Sequence, residues 1–497
     1  MTIYTIGSNP PRTSPDDTGA AADLLVHPTA YTSGLGFPDP GTIRIYDTTL
    51  RDGEQTPGVA FTPTQKYQIA EMASRLGCHI LDVGFPANDE ADRETLRLLL
   101  RGRQIGKLRE DLEFVVLCRA DKHDIDCTVD AIEKYGADPS SICICIFTSG
   151  SDLHIRYKLG DMLLRRGRIA GTRDSVPIER LREENARMVQ QAFAYARSRG
   201  AHNLEFGAED SSRTPIEQVL ELARTAIEAG AKRYVFADTN GSLSPESTAF
   251  YVGQLRQRFP ETPIVCHFHN DHDLATINTI TACRAGATGL TVTINGIGER
   301  AGNAALHSVL IALRQIYNVD IPNVRYDLLR EASALLERLS GIPVPPNEPV
   351  LGECVFLHES GIHTHGMINN PLTYEPIPAE LVGAERRFVY GKHSGRAVVR
   401  QALERARVRL SMQGLAVGDQ LVDAVLRQVR TISMRRAEAN MAEHGVWLAR
   451  ESYRRLALCE EDVVNIAESI AKLQLPGPGE AAAPRHAPVE RNAGDWQ

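Results

Sequence analysis

Between residue 42 and about residue 313 the chain alternates short, β-branched apolar runs with longer amphipathic stretches. The runs fall at 43–47, 80–85, 114–118, 142–147, 203–206, 234–237, 264–268 and 290–294; stretches such as 64–76, 178–198, 215–229, 245–258 and 273–285 carry apolar positions at helical spacing. Runs that are apolar at nearly every position fit parallel strands buried on both faces. Eight such units over roughly 270 residues predict an α/β chain built on a closed (β/α)8 TIM barrel. An open doubly wound sheet would carry a Gly-rich phosphate turn after its first strand. The turn here is Asp47-Thr48-Thr49-Leu50-Arg51-Asp52-Gly53, which is no such motif.

Past residue 313 the alternation stops. Residues 316–345 read as a helical connector, followed by a Gly- and His-rich block to 395 and amphipathic helical stripes from 396 to 473. The expected organisation is a flexible arm (1–40, with a short ordered piece near 20–26), a barrel domain (41–315), a small α/β connector or lid subdomain (316–395), a helical C-terminal subdomain (396–473) and a disordered tail (474–497).

Composition narrows the partners. A net charge of −8 and pI near 6.0 argue against nucleic acid or an anionic membrane as the main partner. Residues 1–40 lack a secretory pattern, and no apolar run nears the ~20 residues needed to span a bilayer. The nine cysteines include no CxxC pair, and Cys143 and Cys145 share one strand face. Reduced thiols in a soluble cytoplasmic protein are the expectation.

In such barrels chemistry sits at the C-terminal ends of strands, and polar residues crowd those ends. They are Arg51 and Asp52 after the first run, Arg119 after the third, Ser149 and His154 after the fourth, and Glu205, Glu209 and Asp210 around the fifth. Asp238, Thr239 and Asn240 follow the sixth, His267 and His269 close the seventh, and Asn295, Glu299, Arg300 and Asn303 follow the eighth. His267 and His269, two apart on a strand, point to one side and suit a divalent metal, with Asp52 as an oxygen ligand. Arg51 reads as an anion handle. Glu205, a carboxylate inside an apolar run, is either functional or one half of a salt bridge across the barrel. The block 358–366 is either a metal-binding surface or a lid carrying an acid or base.

Five motifs stand here in order: Asp47 to Gln55 (DTTLRDGEQ), His267 to Asp271 (HFHND), Asn295 to Asn303 (NGIGERAGN), Ser360 to His363 (SGIH) and Gly391 to Gly395 (GKHSG). In these the chain resembles the metal-dependent acetyl-CoA condensing enzymes that include 2-isopropylmalate, homocitrate and citramalate synthases. The resemblance covers about 42–395. It implies metal ligands Asp52, His267, His269 and Asn303 for a divalent Mn, Mg, Co or Zn ion, with Arg51 on the carboxylate of a 2-oxo acid. It further implies Glu205 as an active-site acid, Thr239 as a substrate hydroxyl contact, and His363 and Tyr374 as lid residues reaching a partner subunit, hence a homodimer. His363 is the first candidate for the base that deprotonates acetyl-CoA; the product is a 2-hydroxy diacid plus CoA. A lyase on the same barrel, cleaving an acyl-CoA or a 4-hydroxy-2-oxo acid, is the rival reading, but such enzymes generally lack the last two motifs.

Departures bear on the acceptor. Asn240 replaces a small apolar residue, and His154 and Arg156 lie where relatives contact the acceptor's distal group. Arg156 suggests a dianionic acceptor such as 2-oxoglutarate, oxaloacetate or a phosphonopyruvate-like acid, with 2-oxoisovalerate as the monoanionic alternative. No β-rich regulatory block follows Gly395, so leucine feedback is not expected. The insert 160–177, with Arg165, Arg166, Arg168 and Arg173, reads as a mobile basic loop, with help in binding CoA phosphates as the lesser alternative.

Overall fold

The computed structural model describes residues 36–443 and 460–472. Most of the expected arm, and the tail after 472, lie outside the described residues. Two compact units result: 36–355 with 377–385, and 356–376 with 386–443 and 460–472.

The first unit is the expected closed barrel of eight parallel strands in sequential order: β1 (Arg44–Asp47), β2 (Ile80–Gly84), β3 (Glu113–Arg119), β4 (Cys143–Ser149), β5 (Leu204–Glu209), β6 (Tyr234–Asp238), β7 (Ile264–Phe268) and β8 (Gly289–Val292). It closes through β1 against β8, with Ile45 opposite Leu290 and Asp47 opposite Val292. β5 runs three residues past the apolar run because Gly207, Ala208 and Glu209 continue the ladder against Phe147, Thr148 and Ser149. Local sequence gave no sign of this; pairing with β4 overrides the weak strand preference of Gly and Glu.

Side chains alternating inward along the strands fill the barrel in layers. Tyr46, Ile80, Val115, Cys143, Cys145 and Val265 form one packed cluster, with Leu117 and Val235 against it. At the N-terminal end lies a buried ionic knot. Arg233, one residue before β6, reaches Glu205 Oε2 (2.8 Å) and Glu113 Oε2 (2.5 Å), and Tyr46 donates its hydroxyl to Glu205 Oε1 (2.9 Å). Glu205 has no exposed surface. Both its oxygens are taken and it sits second in β5, far from the C-terminal ends. Of its two readings, the salt bridge across the barrel is the one realised.

The second unit pairs two short parallel strands, β9 (Leu357–His358) and β10 (Arg387–Phe388), beside helices Gly361–Asn369, Arg396–Arg405, Asp419–Glu443 and Glu460–Lys472. Val398, Leu403, Val422, Val425 and Val463 are fully buried in its core, so the apolar stripes of 396–473 are packing faces.

Two outcomes follow. Arg233→Met strands a buried carboxylate and lowers unfolding free energy in urea by about 3–5 kcal/mol, and adding Glu205→Gln recovers part of that loss. His79 Nδ1 accepts the Ile45 amide (3.1 Å); burial, then Arg44 and Arg109, push its pKa from 6.5 to about 4. The unfolded chain therefore takes up the proton first as pH falls. The His79 contribution is complete above pH 6.5 and is lost towards pH 4, so the thermal midpoint of His79→Gln falls less over that window than the parent's.

Candidate metal centre at the barrel mouth

The loop after β1 turns back at once, because Asp52 N and Gly53 N both donate to Thr48 O. Asp47 holds the turn by accepting from Thr49 N and Thr49 Oγ1 (both 3.0 Å), and Thr49 Oγ1 accepts from Ile294 N (2.9 Å), tying the loop to β8's end. Behind it the buried Lys66 bridges Glu54 and Asp92, each at 2.6 Å. Glu54 is thus a structural brace, while Gln55 is exposed.

This places Asp52 against β7. Asp52 Oδ2 lies 3.2 Å from His267 Nε2 and 3.9 Å from His269 Nε2, and the two Nε2 atoms are 3.0 Å apart. All three residues are buried, and their ligand atoms lie within 4.8 Å of one another. Thr291 determines the tautomer: its hydroxyl donates to Cys266 O (3.0 Å), so it accepts from His267 Nδ1–H at 2.9 Å. The lone pair of His267 Nε2 therefore faces the Asp52 carboxylate. A lone pair opposing a carboxylate in a buried site is a donor set suited to a cation. Burial, with repulsion from His267, lowers the His269 pKa to about 4, keeping it neutral and available as a ligand. Asp52 stays ionised: burial would raise its pKa, but the Arg51 guanidinium holds it well below the ordinary range.

Asn303 joins the group from the loop after β8. Its Nδ2 donates to Asp52 Oδ1 (3.2 Å) and Ile297 O (3.2 Å), while its buried Oδ1 has no hydrogen-bond partner. Two glycines allow this approach: a Cβ on Gly298 (φ 154°) would fall 2.1 Å from Asn303 Nδ2, and one on Gly302 (φ 87°) 2.0 Å from Gly296 O. Arg300 then clamps the loop, gripping Asp271 with two 2.7 Å bonds and Thr239 O with a third.

Arg51 lies beside the metal group. Its Nε donates to Asp82 Oδ2 (2.7 Å) and its Nη1 to Asp52 Oδ2 (2.8 Å). Asp82 went unnoticed in the sequence, although a carboxylate inside the apolar run 80–85 is the signal that drew attention to Glu205.

A second cluster ties the ends of β4, β5 and β6. Asp210, in the left-handed region (φ 60°), accepts from Arg213 Nε and Nη2 (both 2.8 Å), Asn240 Nδ2 (3.0 Å) and Ser151 Oγ, and Thr239 Oγ1 accepts from Asp210 N (2.8 Å). Thr239 and Asn240 thus brace this corner. His154 Nε2 is 3.5 Å from Asp210 and its Nδ1 3.9 Å from Glu209. Glu209 also takes Ser149 Oγ (3.1 Å) and pairs with Lys158. Burial would raise the Glu209 pKa, but His154 and Lys158 bring it down to about 2. Glu205, Gly207 and Glu209 share one strand face, so Glu209 is the β5 carboxylate at the mouth. That periodicity was present in the sequence.

The remaining expected residues lie elsewhere. Arg156 donates to the backbone oxygens of Arg173 (2.8 Å) and Val176 (3.1 Å), so it staples the insert and is not a free anion handle. His363 and Tyr374, in the second unit, stack with ring centroids 4.2 Å apart at 25°. Between the two mouth clusters the inward positions are apolar or empty. Phe147 continues the face of Cys143 and Cys145, Leu117 that of Val115, and Ala237 that of Val235, all three half-buried, while Gly207 carries no side chain.

A family model described as HMGL-like matches residues 42–164 and 172–335. The chain belongs to the HMGL-like family. A homocitrate synthase post-HMGL domain-like model matches 350–436. Among relatives, a probable 2-isopropylmalate synthase of Ignicoccus hospitalis is 41% identical over 365 residues, 73% of this chain and 83% of that protein. A homocitrate synthase AksA of Methanocaldococcus jannaschii is 38% identical over 395 residues (78% and 86%). A putative (R)-citramalate synthase CimA of Methanopyrus kandleri is 39% identical over 397 residues (80% and 70%).

For this HMGL-like barrel the expected outcome is stoichiometric binding of a divalent ion, Mn or Co, in calorimetric titration, abolished by His267→Ala or Asp52→Ala. Thr291→Val, which removes only the acceptor that orients His267, weakens it on the order of 10–100-fold.

Proposed function

We propose that the chain is an acyltransferase that condenses acetyl-CoA with a 2-oxo acid and, with water cleaving the thioester, gives a 2-hydroxy diacid and CoA. The observation that carries this is the buried donor set Asp52, His267, His269 and Asn303 beside Arg51, in a chain whose relatives are named isopropylmalate, homocitrate and citramalate synthases. A divalent Mn, Mg, Co or Zn ion held there would polarise the keto oxygen. Arg51, held by Asp52 and Asp82, presents its guanidinium to the 2-oxo carboxylate. Glu209, ionised and half-buried at the mouth, takes the place first assigned to Glu205, as an anionic group that positions its neighbours; His154 and Thr239 line the same corner. His363 remains the proposed base, with Tyr374 stacked on it, and both are assigned to a homodimer in which a second copy contributes the lid.

On the acceptor we prefer a monoanion with an apolar side chain. Leu117, Phe147 and Ala237 offer an apolar lining, and the Gly207 backbone packs directly against it, since a Cβ there would fall 3.1 Å from Phe147 Cβ and 3.3 Å from Cys145 Sγ. The cations that could meet a second carboxylate already have partners: Arg119 on Asp124, Arg213 on Asp210, Lys158 on Glu209 and Arg156 on backbone carbonyls. Arg156 no longer supports a dianionic acceptor.

The test is thiol release from acetyl-CoA with Mn or Mg and a panel of 2-oxo acids. Release is expected with 2-oxoisovalerate, 2-oxobutyrate or pyruvate and far less with 2-oxoglutarate or oxaloacetate. Ala237→Val should penalise the bulkiest of these substrates most. Cleavage of a 3-hydroxyacyl-CoA or a 4-hydroxy-2-oxo acid with no thiol release would favour a lyase, thiol release without any acceptor would mean plain thioester hydrolysis, and silence across the panel would remove the reading.

A further inference from the structure

The segment between β4 and the helix Ile178–Ser198 leaves the barrel at its C-terminal end, on the side of the metal group. The family model matches up to 164 and resumes at 172, so residues 165–171 are an addition to the HMGL-like pattern. From Arg165 to Arg173 there are four arginines and no carboxylate, in a chain of net charge −8. Arg165 is exposed and makes no hydrogen bond or ion pair among the described residues. Arg168 bonds Gln191 (2.8 Å) and stands 3.9 Å from Glu184, the outer limit of an ion pair. A cavity of about 440 Å³ opens here, lined by Arg168, Ile169, Ser175, Val176, Pro177 and Arg180. Ile169 and Val176 are buried beneath it.

Next to it, Ile155–Leu159 forms a π-helical turn, which exposes Tyr157 (54%) one turn after exposed Leu153. The Arg173 guanidinium lies 4.8 Å from the Tyr157 ring centroid. The same turn carries Lys158, whose pairing with Glu209 fastens it to the end of β5. Arg166 pairs with Asp121, and Arg173 stands 3.5 Å from Asp161 and 3.6 Å from Asp174, which leaves Arg165 and the loosely held Arg168 as the cations open to a ligand. An exposed aromatic ring backed by a guanidinium, these two arginines and a cavity with an apolar floor form a combination that accepts a phosphorylated nucleotide: the base stacks, and the phosphates take charge-assisted bonds.

We propose that this inserted segment holds the 3′-phospho-ADP end of the acyl donor, with Tyr157 under the adenine and Arg165 and Arg168 on the phosphates. This rests on the reading of acetyl-CoA as donor. The test compares acetyl-CoA with S-acetylpantetheine, which has the thioester but no nucleotide, and measures direct binding of 3′,5′-ADP and 5′-ADP by calorimetry, using the full chain and the Arg165→Ala/Arg168→Ala and Tyr157→Ala variants. In the variants, KM for acetyl-CoA and Kd for 3′,5′-ADP should rise roughly tenfold or more, while KM for S-acetylpantetheine keeps its parent value. Equal losses with both thioesters, no binding of 3′,5′-ADP by the parent, or 5′-ADP bound as tightly as 3′,5′-ADP would each overturn the proposal. Failure of the donor reading itself would appear separately, as absence of thiol release from both thioesters in the parent.

Discussion

Asp52 is the charge on which the mouth of this barrel depends. A buried carboxylate is tolerated only where opposite charge or donors surround it, and Asp52 has Arg51 on one side, two imidazoles on another and the Asn303 amide on a third. Each partner arrives from a different part of the chain, so this one group draws the ends of β1, β7 and β8 together. The supports behind it follow the same rule: Asp82 balances Arg51, Lys66 balances Glu54 and Asp92, and Arg300 balances Asp271.

Pairing also limits what each charge can do. Arg156, which reads as a ligand handle in isolation, and Arg119 at the end of β3 are engaged by carbonyls or a carboxylate of their own neighbourhood. The region between the two clusters is left to Leu117, Phe147 and Ala237, which moves the acceptor reading from charge recognition to shape and apolar contact. Discrimination of that kind is modest, about 1–3 kcal/mol per methylene. At the opposite end of the barrel the Arg233–Glu205–Glu113 knot obeys the same electrostatics with a purely structural outcome. The same residue type inside two strands thus serves packing at Glu205 and the mouth at Glu209, according to its depth along the barrel.

Much of this was legible along the chain. Alternation of apolar runs and amphipathic stretches determined the (β/α)8 barrel, because buried parallel strands and their covering helices each need a distinctive apolar period. Placement of Asp52, His267 and His269 at strand ends pointed to a metal-type group, because a barrel gathers its strand ends at one mouth; Asn303 entered only through the family resemblance. What only the tertiary structure decided was the depth and partnering of each charge. Glu205 and Glu209 lie on one face of one strand, and nothing local says which faces Arg233 and which faces Lys158. Arg51 and Arg156 are equally charged, and only the fold sets one beside Asp52 and the other against the carbonyls of its own loop. Periodicity is encoded within a single segment; a carboxylate's partner comes from a segment far away in sequence, so its role appears only when the barrel closes.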